Sequence, residues 1–153
     1  MEVCHVEYIV RKARVEDAEA IGKINQKVLD WHAVVDLEKT LKRLLANEAH
    51  FILVAAAEDS ILGYIHACEH DTLYSNGMKN IVSLIVDPSH RRQGVGTALL
   101  SAVEKWAAVG VGIPRIRMTL EEDREDAHAF YCANGYVGVK REINFKKKPN
   151  ALR

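Results

Sequence analysis

Between Val86 and Leu100 the sequence runs Val-Asp-Pro-Ser-His-Arg-Arg-Gln-Gly-Val-Gly-Thr-Ala-Leu-Leu, and these residue types suit the capture of an anion. An apolar run precedes this segment and helical spacing follows it, so it joins a strand to a helix. At a helix start the backbone N–H groups point outward and carry partial positive charge. A phosphate can bind there, and glycines let it approach closely. Arg91 and Arg92 add charge that a bare turn lacks. Two familiar phosphate motifs do not fit: Leu99 stands where a Rossmann fingerprint needs its third small residue, and the chain has no Gly-Lys-Ser/Thr. Taken alone, Gly94 and Gly96 favour a plain tight turn with both arginines solvated.

Other residues invite a chemical reading less strongly. His66, Cys68 and His70 fall on one face of a strand with Glu69 nearby, but a single strand converges poorly on a metal and no second cluster has ligand spacing. No metal is expected, and those side chains instead suit the lining of a pocket. Glu121-Glu122-Asp123 and Glu125-Asp126 either steer a cation or complement a helix dipole. Cys132 lacks a base or acid partner pattern and reads as a small packing residue.

The elements that must position these groups follow from periodicity. Val6 to Val10 reads as a first strand. Ala20, Ile21, Ile24 and Val28 then recur at helical spacing, and Asp36 caps a second helix with the stripe Leu37, Leu41, Leu44 and Leu45. Phe51 to Ala57 and Ile61 to Cys68 flank the turn Glu58-Asp59-Ser60 as a hairpin, and Ile81 to Val86 is a buried strand ended by Asp87-Pro88. Val95, Leu99, Ala102, Val103 and Trp106 define a third helix. Ile116, Met118 and Leu120 alternate as a strand, a helix follows from Arg124 to Ala133, and Tyr136 to Phe145 is expected to be a last strand. The order is an α/β three-layer pattern with a mostly antiparallel first half and a βαβ second half.

The 153 residues are 48% hydrophobic and 27% charged, with 21 basic side chains balanced by 21 acidic ones. A chain of this length buries roughly 68–70% of its unfolded surface and needs no metal or disulfide staple. The longest apolar run, Phe51 to Ala57, is far short of the ~20 residues that cross a membrane. The neutral balance argues against a surface that coats nucleic acid. Three cysteines cannot all pair, and the N-terminus lacks a signal layout. The expectation is one domain, 1–153, in a reduced cytoplasmic protein, with residues 146–153 as a frayed tail and no nucleic-acid or membrane partner.

The string Val86, Pro88, Arg91, Gly94, Gly96, Leu99, Leu100 resembles the signature of the GCN5-related N-acetyltransferase (GNAT) family. Ala127, Phe130, Tyr131, Gly135 and Tyr136 resemble its second motif, with Arg124 where the family often has Asn. The resemblance covers the element order over almost the whole chain. It implies an α-β-α sandwich around a mixed, mostly antiparallel sheet, with acetyl-coenzyme A as acetyl donor and no metal. Leu84, Ile85 and Val86 would line the pantetheine arm. Arg91, Arg92, Gln93, Gly94, Val95, Gly96 and Thr97 would hold the phosphates, and Arg124 would face the cofactor.

The implied reaction is direct attack of a primary amine on a thioester in a ternary complex. Its oxyanion needs a donor, which a backbone N–H near Leu84 to Val86 can supply. Its leaving thiolate needs a proton, and Tyr131 is the candidate general acid. The strand position that carries a Glu in some members is Thr119 here, so Glu121, two residues on, is named as the base provided the strand continues to it; His128 or a water chain are alternatives. Trp31 and His32 lie near the loop that covers the acceptor in the resembling family. The acidic patch tilts the acceptor toward a small cationic amine, with peptide amines left open, and a homodimer is left open as well. Arg124 and the missing strand Glu keep open a second reading, a noncatalytic acyl-coenzyme A sensor or interaction module on the same fold; an unrelated nucleotide-binding domain is a third.

Overall fold

The computed structural model describes residues 5–29, 36–110 and 112–150, so Cys4, Trp31 and His32 lie outside the described residues. The chain forms two compact units, Met1–Thr119 and Leu120–Arg153.

The first unit contains β1 (Ile9–Lys12), α1 (Ala18–Val28), α2 (Leu37–Leu45), β2 (His50–Ala56), β3 (Ile61–Glu69), β4 (Met78–Val86), α3 (Val95–Ala107) and β5 (Arg115–Met118). The sheet order is β1-β2-β3-β4-β5. Pairs β1–β2, β2–β3 and β3–β4 are antiparallel, whereas β4–β5 is parallel. A parallel pair needs a long crossover, and α3 supplies it.

Local chemistry fixes the ends of these elements. Ala57 N–H donates to Ser60 O at 2.8 Å and closes the β2–β3 hairpin. Asp17 binds the Arg11 guanidinium at 2.8 and 2.9 Å and accepts from Arg14 N–H at 2.8 Å, which pins the entry to α1. The Asp36 carboxylate accepts from Lys39 N–H at 3.1 Å and caps α2, as the sequence predicts.

Strand alternation sorts side chains onto two faces. Ile52, Val54, Tyr64 and Ile85 pack with Ile21 and Ile24 of α1 and Leu41 of α2. On the opposite face Phe51 stacks on Trp106 of α3, centroids 4.6 Å apart, and Val95, Leu99, Leu100, Val103 and Ala107 are buried. The predicted α-β-α layering with a mixed sheet is observed. One cation is buried on the α3 face: Lys79 Nζ lies 3.0 Å from Glu69 Oε1 and 4.7 Å from the Trp106 ring centroid.

The second unit holds α4 (Glu125–Ala133). Its end is a Schellman motif: Gly135 has φ +88°, Tyr136 N–H donates to Tyr131 O at 3.0 Å, and Gly135 N–H donates to Cys132 O at 3.1 Å. The Tyr131 and Tyr136 rings meet edge to face across this turn, centroids 5.6 Å apart.

Two sequence expectations fail here. β5 stops at Met118 and does not reach Leu120. Residues 136–145 form no strand among the described residues, and Val137, Val139, Ile143 and Phe145 are 79–88% exposed. Alternation selects a face, but a strand also needs a neighbour to take up its hydrogen bonds. The segment carries exposed ion pairs, Lys140 to Glu142 at 2.7 Å and Arg141 to Glu122 at 3.1 Å.

Candidate active site

The site begins where the β3–β4 ladder slips. His66 pairs with Ser83 and Ala67 with Ile81, which leaves Val82 as an extra residue on β4. This is a β-bulge, a device that re-aims backbone and side chains and recurs beside active sites. At the same point β5 leaves β4, because the parallel pairing ends at Ile81 with Met118. From Val82 to Val86 the outer edge of β4 therefore has no ladder partner among the described residues, and its peptide groups are available to an extended ligand. Leu84, Ile85 and Val86, which the family resemblance assigns to the pantetheine arm, lie on this open stretch.

β4 leads into a turn built around Asp87. Its carboxylate accepts from Ser89 N–H at 2.9 Å, from Ser89 Oγ at 2.7 Å and from Lys27 Nζ of α1 at 2.7 Å. Burial pushes this carboxyl upward, but the hydrogen bonds from Lys27 and Ser89 outweigh burial and hold its pKa at about 2. Pro88 then starts a 3₁₀ turn, Pro88–His90. Arg92 and Gly94 both have positive φ, +61° and +81°. An L side chain at Gly94 would meet open space but a strained backbone.

α3 begins without a side-chain cap, and its first backbone bond runs from Ala98 N–H to Gly94 O at 2.9 Å. The N–H groups of Val95, Gly96 and Thr97 thus open the helix with no carbonyl behind them. Arg91, Arg92 and Thr97 are exposed beside them, Gln93 is half-buried, and His90 Nδ1 is buried with no hydrogen-bond partner. A positive helix end, two guanidinium groups and an unsatisfied imidazole nitrogen fit a bound phosphate. Of the Arg91–Thr97 stretch named from sequence, Gly94 is also exposed and Gly96 half-buried, whereas the Val95 side chain is buried in the core.

On the α1 side of the sheet a line of polar groups runs beside the bulge. Tyr64 Oη donates to Asn25 Oδ1 at 2.6 Å. Burial raises the Tyr64 phenol above its usual range, with hydrogen bonding to Ser83 and Asn25 pulling the other way. His50 Nδ1 and His66 Nε2 lie 2.8 Å apart. Burial first, and then the charge of His50, lowers the His66 pKa to about 4. Sequence reasoning singled out His66 but not its partner. The available signal was that His50 and His66 stand on either side of the hairpin turn with the same parity. His70 takes no part, since its Nε2 lies 3.1 Å from an Arg117 guanidinium nitrogen. No group of three potential metal ligands occurs among the described residues.

In the second unit Tyr131 is buried, its ring 5.0 Å from Phe130 centroid to centroid. Burial raises its pKa to about 12, although the positive charge of Arg124 pulls it down. Arg124 precedes α4, about half exposed, with Nε 3.6 Å from Asp126 Oδ1. Glu121 is exposed beyond the end of β5. The strand continuation on which its role as base depended is not observed. Its carbonyl lies 3.0 Å from His128 Nε2, so that nitrogen carries the proton it donates.

The model of the acetyltransferase (GNAT) family matches residues 16–136, and the chain belongs to that family. It is an acetyl-coenzyme A-dependent N-acetyltransferase. The chain is similar to an aminoglycoside N(6')-acetyltransferase type 1 of Stenotrophomonas maltophilia, 27% identical over 144 residues that cover 90% of this chain and 91% of the relative. It is also similar to a mycothiol acetyltransferase of Jonesia denitrificans, 25% identical over 146 residues; these cover 90% of this chain but 45% of the relative, so the chain spans less than half of that protein. The solved structure of AAC(6')-Iy in complex with the bisubstrate analogue CoA-S-monomethyl-acetylneamine shares the fold, with TM-score 0.80 at 18% identity over 93% of this chain and 99% of that one.

Proposed function

We propose that the chain moves acetyl from acetyl-coenzyme A to a primary amine of a small cationic acceptor, by direct attack in a ternary complex. The observation that carries this reading is the continuity of β4's open edge with the turn at Asp87 and the uncapped start of α3. An extended amide-bearing arm ending in a pyrophosphate matches that order of sites. The aminoglycoside acetyltransferase relative supports the cationic acceptor.

In this reading the pantetheine amides pair with the free edge of Leu84, Ile85 and Val86. The phosphates sit on the N–H groups of Val95, Gly96 and Thr97, with Arg91, Arg92 and Gln93 around them. A free N–H at the bulge stabilises the oxyanion as the amine attacks the thioester carbonyl. Tyr131 gives its proton to the departing thiolate. Held at about 12, the phenol is fully protonated at neutral pH and is available as a donor. Arg124 turns its charge toward the cofactor. Glu121, with Glu122 and Asp123, steers the cationic amine rather than deprotonating it.

The test has two arms. Thermal unfolding with acetyl-coenzyme A, against ADP as control, is expected to shift by roughly 5–10 °C at 100 times the dissociation constant. Release of free coenzyme A thiol is then followed with neamine, spermidine and a short peptide as acceptors. Tyr131→Phe is expected to lower turnover by about 100-fold or more while keeping the thermal shift. No shift, or an equal shift with ADP, would remove the cofactor assignment.

A further inference from the structure

Amine attack requires the acceptor to lose a proton first, because a primary ammonium has a pKa of about 10.4. With β5 ending before Glu121, that step lacks an assigned base. We propose that His66 takes the proton from the acceptor ammonium and that His50 relays it to water. This inference rests on the acetyltransferase reading given above and names its missing base.

Four observations converge on the pair. His66 stands opposite Ser83, directly beside the bulge at Val82 and one residue before the stretch assigned to the pantetheine arm. The two imidazoles are in hydrogen-bonding contact at 2.8 Å, with centroids 5.1 Å apart. Both are half-buried rather than sealed from solvent. The groups facing the pair are Cys68, across the ladder from His50, with Ser83 on β4, Tyr64 on β3 and Asn25 on α1. α2 contributes Leu37, Leu41 and Leu44 to this side of the sheet. None of these facing groups is a carboxylate.

The proton balance is simple. The ammonium N–H bond breaks and its proton joins Nδ1 of His66, leaving the nitrogen lone pair free to attack. The proton already on His66 Nε2 crosses to His50 Nδ1, and His50 Nε2–H is lost to water. This requires the tautomer in which His66 Nε2–H donates to His50. With its pKa lowered to about 4, His66 keeps an open lone pair at neutral pH; so weak a base takes the ammonium proton only as its Nε2 proton passes to His50, and the two transfers are concerted.

The experiment compares His66→Gln, His50→Gln and Glu121→Gln with the unaltered protein. It uses the panel amine that turns over fastest and measures kcat/KM from pH 6.5 to 9.5. His66→Gln is expected to lose about 100-fold near pH 7 and to recover toward the unaltered value by pH 9.5, where the amine deprotonates unaided. His50→Gln is expected to lose less and recover in the same way, and Glu121→Gln is expected to change KM for the amine with little change in pH profile. The acetyl-coenzyme A thermal shift, unchanged in all three, shows that they are folded and that the cofactor site is intact. A deficit equal at every pH, no deficit, or pH-dependent recovery in Glu121→Gln in place of His66→Gln would overturn the relay and leave the acetyltransferase reading standing. If the unaltered protein turns over no amine while binding acetyl-coenzyme A, the relay falls together with the proposed acceptor class.

Discussion

The two faces of the sheet are made of the same strands and solve different problems. Toward α3 the sheet presents Phe51 against Trp106, and the helix answers with Leu99, Leu100 and Val103, all essentially inaccessible to solvent. The buried charge of Lys79 on this face is paired with Glu69 and lies against the Trp106 ring. Toward α1 and α2 the apolar residues Ile52, Val54 and Ile85 share their face with Tyr64, Ser83, His66 and His50. Polar groups gather beside the bulge, where the ladder already departs from regularity. One face secures the fold, and the other gives up some packing to carry hydrogen-bonding groups beside the bulge.

The largest expected effect tests the packed face. Leu99→Ala removes a fully buried side chain and is expected to cost about 3 kcal/mol, a fall of roughly 6–12 °C in Tm. A loss under about 1 kcal/mol in urea unfolding would mean that α3 is not the main anchor. Next comes Asp87, whose carboxyl is held at about 2 against 3.8 for the free group. A depressed carboxyl stabilises above its unfolded pKa, and the stabilisation is lost as pH falls from about 4 through about 2. It contributes at most about 2 kcal/mol near neutrality, since Lys27 is half-exposed. The gap in unfolding free energy between the unaltered protein and Asp87→Ala is therefore expected to narrow between pH 5 and pH 2.

On the polar face, Tyr64→Phe leaves Asn25 Oδ1 without the phenol that donates to it. It is expected to cost about 1–2 kcal/mol in the same assay. A stabilising result would show that this contact opposes folding and is kept for function alone. The smallest effect belongs to neither face. Glu19→Gln breaks an exposed ion pair to Lys23 on α1 and is expected to change stability by less than about 0.5 kcal/mol at moderate salt.

Local pattern made much of this legible. Helical spacing located α1, α2 and α3, the Glu58-Asp59-Ser60 turn located the hairpin, and the Arg91–Gly96 string located the turn into α3. Features that depend on pairing between distant segments were not legible. The length of β5 is set by where β4 stops accepting its bonds, so Leu120 continues the sequence pattern but not the strand. The alternation of Val137, Val139, Ile143 and Phe145 promised a strand that no described edge receives. The contact of His50 with His66 follows from hairpin register, which a one-residue slip would abolish. Asp87 looked like a strand terminator, and only the fold brings Lys27 to it across 60 residues.

The early departure of β5 also bears on how the protein behaves in concentrated solution. Among the described residues Val82 to Val86 have no ladder partner on the outer edge of β4, and Val82 itself is 51% exposed. Unprotected edges of this kind are templates on which other chains add as strands, the first step of aggregation. A ligand lying along β4 occupies the same backbone groups. Keeping the protein saturated with coenzyme A during purification is therefore expected to improve its solubility and shelf life independently of any gain in folding stability.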